Sequence, residues 1–501
     1  MSGDESDFSP GTGFALAGSV SALAISDMTT DTNCANVVLI TVDSLRADAI
    51  EPYTDEYRTP VLQRLADRGT VFEHAFATGN WTPFSFPGLL ASRPAFADSG
   101  TIGVTESETL AEALSETGIS TGGFNAANGF LTPHWGYDSG FDEFESFVAN
   151  TDSLYGGYLV AHPTVEAWLQ LASSPVRRLA SRLRGEDDGR PFMDASRMLD
   201  VERRATAFVE EVESPFFLWI HFMDTHTPYA PAPRHFREVS SSTLGTPQML
   251  LAHARAGLGR NVGERTLSDL RTLYQATVRQ VDASIGRVLD ALSSSGVREE
   301  TAVVVAGDHG EEFQDHGHMA HYPKLYDELI RVPLLVDTPE GGSERVERAV
   351  GLDDIPPTVC DLLSVSPPDA WSGDSLADSV ETGEIPPEKP ALSVTVRGEE
   401  VTRQPIPRDL DDGDLLVSAR TSEWTYIENV ATEECELYHR PDDPTQQRDL
   451  AADPGPEAAE AIERLRETVR EHAATLETTS ATGEGSADEA VETRLEALGY
   501  R

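Results

Sequence analysis

Lysine is almost missing from this 501-residue chain. Lys324 and Lys389 are the only two, and arginine supplies the rest of 38 basic side chains. Against them stand 85 aspartates and glutamates, for a formal net charge of −47. A surface of that sign excludes nucleic-acid phosphate and anionic membranes as partners of the protein as a whole. The acid is spread along the chain rather than held in one tail, the pattern of a salt-adapted, haloarchaeal-type protein. At molar salt the Debye length is about 3 Å, so neighbouring carboxylates repel one another little. Cysteine is scarce too. Cys34, Cys360 and Cys435 are too few and too widely spaced for a disulfide framework or a thiolate metal site. Long apolar runs are absent. GFALAGSVSALAIS is short and serine-broken, and MSGDESDF before it carries no positive charge. Neither a signal peptide nor a membrane span is expected, so the expected location is cytoplasmic. Oligomeric state leaves no mark in the sequence.

What the chain has in concentration is histidine beside acid. Four of its 13 histidines fall in TAVVVAGDHGEEFQDHGHMAH, Thr301 to His321. The opening apolar, β-branched run predicts a strand buried on both faces. It stops at Asp308-His309, and sites in open α/β sheets form beyond the carboxyl ends of strands. Gly307 and Gly310 are expected to let the backbone turn on either side of the pair.

The same arrangement recurs. NVVLITV predicts a buried strand, Val37 to Val42, that ends on Asp43. FFLWIH predicts another, Phe216 to His221, followed by Asp224 and His226. Ile119 to Phe124 predicts a third, with Asn125 and Asn128 in the loop beyond. Thr82 stands before Pro83, a residue suited to a helix's first turn. It is therefore either an N-cap or a hydroxyl aimed at an anion beside the helix N-terminus. Pro87 is expected to kink that helix. Leu267 to Leu292 predicts a long amphipathic helix. Residues 150–200 and 238–265 read as surface insertions.

The domain reading is a flexible acidic leader (1–34), a catalytic α/β domain (35–374), a linker (375–410), and a small C-terminal subdomain with a terminal helix (411–501). Asp43, Asp308, His309 and Thr82 form a candidate site for one divalent metal, Mn²⁺ or Zn²⁺ favoured and Ca²⁺ possible. Such an ion activates a threonine hydroxyl as nucleophile. His226 and His321 would hold a tetrahedral anion or protonate the leaving oxygen. Asn125 and Asp224 are further candidates for binding the substrate. A second ion among Asp224, His226 and His321 is an alternative.

NVVLITVDSLRAD, the Thr82 to Arg93 segment, FLWIHFMDTHTPY, VVVAGDHGEEFQDHG, LYDELIRVPLLV and DDIPPTVCDLLSV follow the order seen in sulfatases, as do WTYIEN…ELYHRPDDP and the terminal LEALGY. The chain resembles the sulfatase branch of the alkaline-phosphatase superfamily. That resemblance implies an α/β fold, a large mixed sheet between helices, with a small C-terminal antiparallel sheet. It also implies hydrolysis or transfer of a small-molecule or glycan sulfate or phosphate ester through a covalent intermediate. Two departures stand out. Thr82-Pro83-Phe84-Ser85-Phe86 replaces the Cys/Ser-x-Pro-Ser-Arg signature, so formylglycine cannot form at Thr82 and the arginine is lost. Asp43-Ser44 replaces paired aspartates. A threonine with Asp, Asp and His is more like phosphoryl-handling relatives such as lipoteichoic acid synthases and phosphoethanolamine transferases. The alternatives are a phospho- or sulfo-transferase on the same site and a non-catalytic, sulfatase-like binding protein.

Overall fold

The computed structural model describes residues 34–98, 100–148, 196–241, 248–249, 251–253, 262–397, 407 and 409–482. The expected leader up to residue 33, most of the 150–200 insertion, much of 238–265 and the terminal LEALGY lie outside them.

The larger sheet is built from β1 (Asn36–Val42), β2 (Thr70–Phe76), β3 (Ser120–Asn125), β4 (Glu143–Glu145), β5 (Phe216–Phe222) and β6 (Thr301–Gly307). A hairpin follows, β7 (Glu312–Phe313) and β8 (Met319–Ala320). Then β9 (Arg331–Val332), β10 (Leu334–Asp337) and β11 (Arg345–Gly351) return to the sheet. Its order is β11-β2-β10-β6-β1-β5-β3-β4, with β9 beside β2. β1 lies parallel to both β5 and β6, and β10 runs antiparallel to β6 and β2. The sheet is therefore mixed. Residues 332–336 were expected as one strand. They split because Pro333 has no N–H for the ladder.

The central strands bury both faces, and alternate residues serve different cores. Val38, Ile40 and Val42 join one apolar cluster, while Val37 and Leu39 join the other. The first is closed by α1 (Pro60–Ala66), and the second by α2 (Thr82–Ala91) and α3 (Leu110–Ser115). α4 (Met198–Glu211), α5 (Pro233–Val239) and the long α6 (Glu264–Ser294) complete the first layer. α7 (Asp327–Ile330) and α8 (Ile355–Leu362) follow β8 and β11.

Residues 375–410, expected as a linker, instead carry α9 (Ala377–Thr382) and β12 (Ala391–Arg397). β12 forms an antiparallel sheet with β13 (Asp414–Arg420), β14 (Trp424–Asn429) and β15 (Cys435–His439). The alternation ALSVTVR was concealed by the acidic, proline-rich sequence before it. α10 (Pro456–Thr482) packs Leu465, Val469 and Leu476 into the core of this sheet, which also receives Phe84 of α2. Both sheets thus border the helix that Thr82 opens.

Candidate active site

Strand register brings the two acids together. Val42 of β1 pairs with Gly307 of β6, so the next residues, Asp43 and Asp308, leave adjacent strands side by side. The Asp43 amide donates to Phe222 O at 2.8 Å, and the Asp308 amide to Val42 O at 3.2 Å, which extends both ladders by one residue. Gly307 and Gly310 act differently from expectation, since neither has a left-handed φ. Each provides room. A Cβ on Gly307 would lie 2.5 Å from Leu45 O, and one on Gly310 would lie 2.0 Å from Glu328 O.

Ser44 joins the acids. It holds a left-handed φ of 57°, an uncommon conformation for a residue with a side chain. Its amide donates to Asp308 Oδ1 at 2.9 Å, and its hydroxyl to Asp43 Oδ1 at 2.8 Å. The serine that replaces the second of the paired aspartates therefore ties the two carboxylates together through hydrogen bonds.

Thr82 is not a cap. Trp81 occupies the cap of α2 with an extended backbone, and no side chain there accepts a capping bond. The Thr82 hydroxyl is left to donate to Asp308 Oδ2 at 3.1 Å, with His309 Nε2 at 3.4 Å. α2 runs on through Pro87.

Asp43, Asp308 and His309 offer ligand atoms within 4.8 Å of one another, and so do Asp43, His226 and His321. The imidazoles form a row. His321 lies between His309, with ring centroids 4.6 Å apart, and His226, at 5.1 Å. Burial raises the Asp43 carboxyl, but His226, His221 and His309 outweigh it and hold the group well below the usual carboxylate range. Burial, and then the charge of Asp43, push Asp308 well above that range. Burial lowers His309, and it lowers His321 with further help from His309 and His226. Two buried carboxylates cannot both ionise here unaided. Among the described residues neither has an arginine or lysine partner within ion-pair distance. This donor set of two carboxylates, an imidazole and a hydroxyl fits one divalent cation.

Two expected residues are engaged by other partners. The Asn125 amide donates to Leu131 O at 2.9 Å, and it is Asn128 that reaches Asp43 Oδ2, at 3.4 Å. Asp224 accepts from Ser196 and from Gln280, at 2.9 and 2.6 Å. Burial raises its pKa to about 6. The cation cluster around His226 includes Asp43 and not Asp224. Of the other clustered histidines, His316 pairs with Glu328 at 2.6 Å and His318 stacks on Tyr322.

The sequence reading missed His221, whose Nε2 lies 3.8 Å from Asp43 Oδ2. It also missed Glu311, fully buried with Oε2 3.1 Å from His321 Nδ1. Burial is the main reason the Glu311 carboxyl is pushed up to about 8. Its position two residues after His309 was the available signal.

Comparison with known proteins bears on the family. An uncharacterized sulfatase of Escherichia coli (strain K12) is 27% identical over 268 residues, 50% of this chain and 51% of that protein. The chain thus spans about half the length of that relative. An arylsulfatase of Clostridium perfringens (strain 13 / Type A) is 23% identical over 392 residues, 69% of this chain and 78% of that protein. The phosphonate monoester hydrolase of Agrobacterium radiobacter superposes with a TM-score of 0.65 at 19% identity, covering 89% of this chain and 96% of that one. No helix among the described residues is long and apolar enough to cross a membrane. The sulfatase family model matches residues 35–365, from the start of β1 to just past α8 and so across every residue of the site, and the chain belongs to the sulfatase family.

Proposed function

We propose that the chain is a metal-dependent hydrolase of phosphate or sulfate esters of small molecules or glycans, working through a covalent intermediate on Thr82. The carrying observation is the Thr82 hydroxyl, which caps nothing and donates to Asp308 Oδ2. Asp43, Asp308, His309 and Thr82 would hold one divalent cation, Mn²⁺ or Zn²⁺ before Ca²⁺ because one donor is an imidazole. When bound, that ion supplies the positive charge that lets both carboxylates ionise and makes the hydroxyl more acidic.

Thr82 Oγ1 attacks phosphorus or sulfur in line, and its proton passes along the existing hydrogen bond to Asp308 Oδ2. As the new bond forms, the bond to the leaving oxygen breaks, and His321 gives that oxygen a proton, which the negative charge of the bound substrate helps the ring hold against burial and its neighbouring imidazoles. Water then attacks the intermediate and yields a proton to His321. Thr82 Oγ1 departs and recovers its own proton. His226 faces the oxygens of the transferred group, and the α2 N-terminus adds partial positive charge there. The phosphoryl class is favoured, since a threonine with Asp, Asp and His resembles the phosphoryl-handling relatives.

The test compares an aryl phosphate monoester, an aryl phosphodiester and an aryl sulfate in molar-salt buffer with Mn²⁺ or Zn²⁺. Wild type cleaves at least one, and Thr82→Ala loses that activity; full activity in the variant contradicts the reading. A second ion is a further reading, favoured by the convergence of Asp43, His226 and His321. Metal content per chain decides between one ion and two.

A further inference from the structure

We propose that Glu311 is a positioning residue for His321, fixing the ring so that Nε2 faces the reaction space. This rests on the reading of His321 as the group at the leaving oxygen.

The hairpin sets up the pair. Glu312 of β7 opposes Ala320 of β8, and the next residues outward, Glu311 and His321, face each other across the open end. Glu311 Oε2 stands 3.1 Å from His321 Nδ1, a close approach whose angle falls short of a hydrogen bond, and both atoms are buried with no other hydrogen-bond partner among the described residues. On the opposite edge of the ring, His321 Nε2 is 3.4 Å from Ser44 Oγ, beside Asp43. The acidic side chain on the Nδ1 edge fills that side of the ring and leaves Nε2 turned toward Ser44 and Asp43.

Glu311 is itself held through its backbone and one carboxyl oxygen. Its amide donates to Glu328 O at 3.0 Å, and its carbonyl accepts from Arg46 Nη1 at 2.9 Å. The Tyr229 hydroxyl donates to Oε1. Tyr229 is fully enclosed, packed on Tyr274, Phe313 and His253. A buried acid with one oxygen anchored by a phenol is restrained to keep its other oxygen beside the imidazole. Pairing of this kind through the distal ring nitrogen sets imidazole geometry in other catalytic and metal sites.

The experiment uses Glu311→Gln and Tyr229→Phe in the full chain, with saturating metal. It compares 4-nitrophenyl phosphate with n-butyl phosphate, and the corresponding sulfates if sulfate is the better substrate. Butoxide needs a proton as it leaves, whereas nitrophenolate hardly does. Glu311→Gln should lower kcat/KM for the butyl ester by about 10²-fold and for the nitrophenyl ester only a few-fold. Tyr229→Phe, which keeps the ring, should show the same preference at smaller size. In a His321→Gln background, Glu311→Gln should add little further loss. Equal losses on both esters, no loss, or full additivity with His321→Gln would overturn the proposal. If Glu311→Gln does not fold, Tyr229→Phe alone decides in the same way. Activity surviving in Thr82→Ala would instead contradict the nucleophile assignment.

Discussion

Gly310→Ala tests how the site is held. Gly310 and Glu311 lie against α7, with the Gly310 amide donating to Leu329 O at 2.7 Å and the Glu311 amide to Glu328 O at 3.0 Å. An alanine Cβ would sit 2.0 Å from Glu328 O, 2.8 Å from Glu328 C and 3.1 Å from Leu329 Cα. All three are backbone atoms, so no side chain can swing aside. An ordinary contact needs roughly 3.5 Å, so the two segments must part by about 1 Å or more. Overpacking of this kind and the weakening of two hydrogen bonds together cost about 2–4 kcal/mol. His309 and Glu311 flank the glycine, so the displacement reaches both, and a misplacement of 1 Å costs about 10²-fold in rate. The assay is urea unfolding alongside kcat/KM at saturating metal. Gly263→Ala is the control, because a Cβ there meets nothing within 4 Å. A Gly310→Ala enzyme with unchanged midpoint and kcat/KM within twofold of wild type would refute the reasoning.

Two other perturbations follow from the buried acids. Asp308→Asn removes the repulsion from Asp43 that helps push Asp308 upward. The metal-free protein should be as stable as wild type or more so, while kcat/KM falls at least about 10²-fold and added metal no longer raises Tm; a less stable variant that metal still stabilises would count against this. Asp282 accepts from the Val61 and Leu62 amides at the start of α1, and burial raises its pKa to about 6. The folded value exceeds an unfolded value of about 3.9, so its stabilising contribution is complete below pH 4 and is lost as pH rises through about 6. Asp282→Asn should remove this decline in a urea-unfolding series, and parallel curves for the two proteins would rule the assignment out.

The strand ends were the legible part of the sequence. Runs such as NVVLITV and TAVVVAG can be buried on both faces only inside a sheet, and an acid or imidazole directly after each must emerge at one edge. Asp43, Asp308 and His309 could therefore be placed at that edge without coordinates. Thr82 was half legible: the sequence marked a helix start, but only the extended Trp81 showed that the hydroxyl was free of capping. Asn125 and Asp224 stood past strand ends just as Asp43 and Asp308 do, and periodicity does not report which way a loop side chain turns. Glu311 was hidden for a different reason. It meets His321 across a short hairpin with two-residue strands, a contact set by turn geometry rather than by apolar pattern. The strand at 391–397 went unseen because acid and proline outweighed its short alternation.

The measurement that bears most directly on the account is rapid acid quenching during turnover of an aryl phosphate or sulfate, followed by peptide mass spectrometry. The expected result is a phosphoryl or sulfuryl group on Thr82 in wild type, accumulating more in His321→Gln, where release to water is slowed. Steady turnover with no adduct on Thr82, or with the group on another side chain, would contradict it.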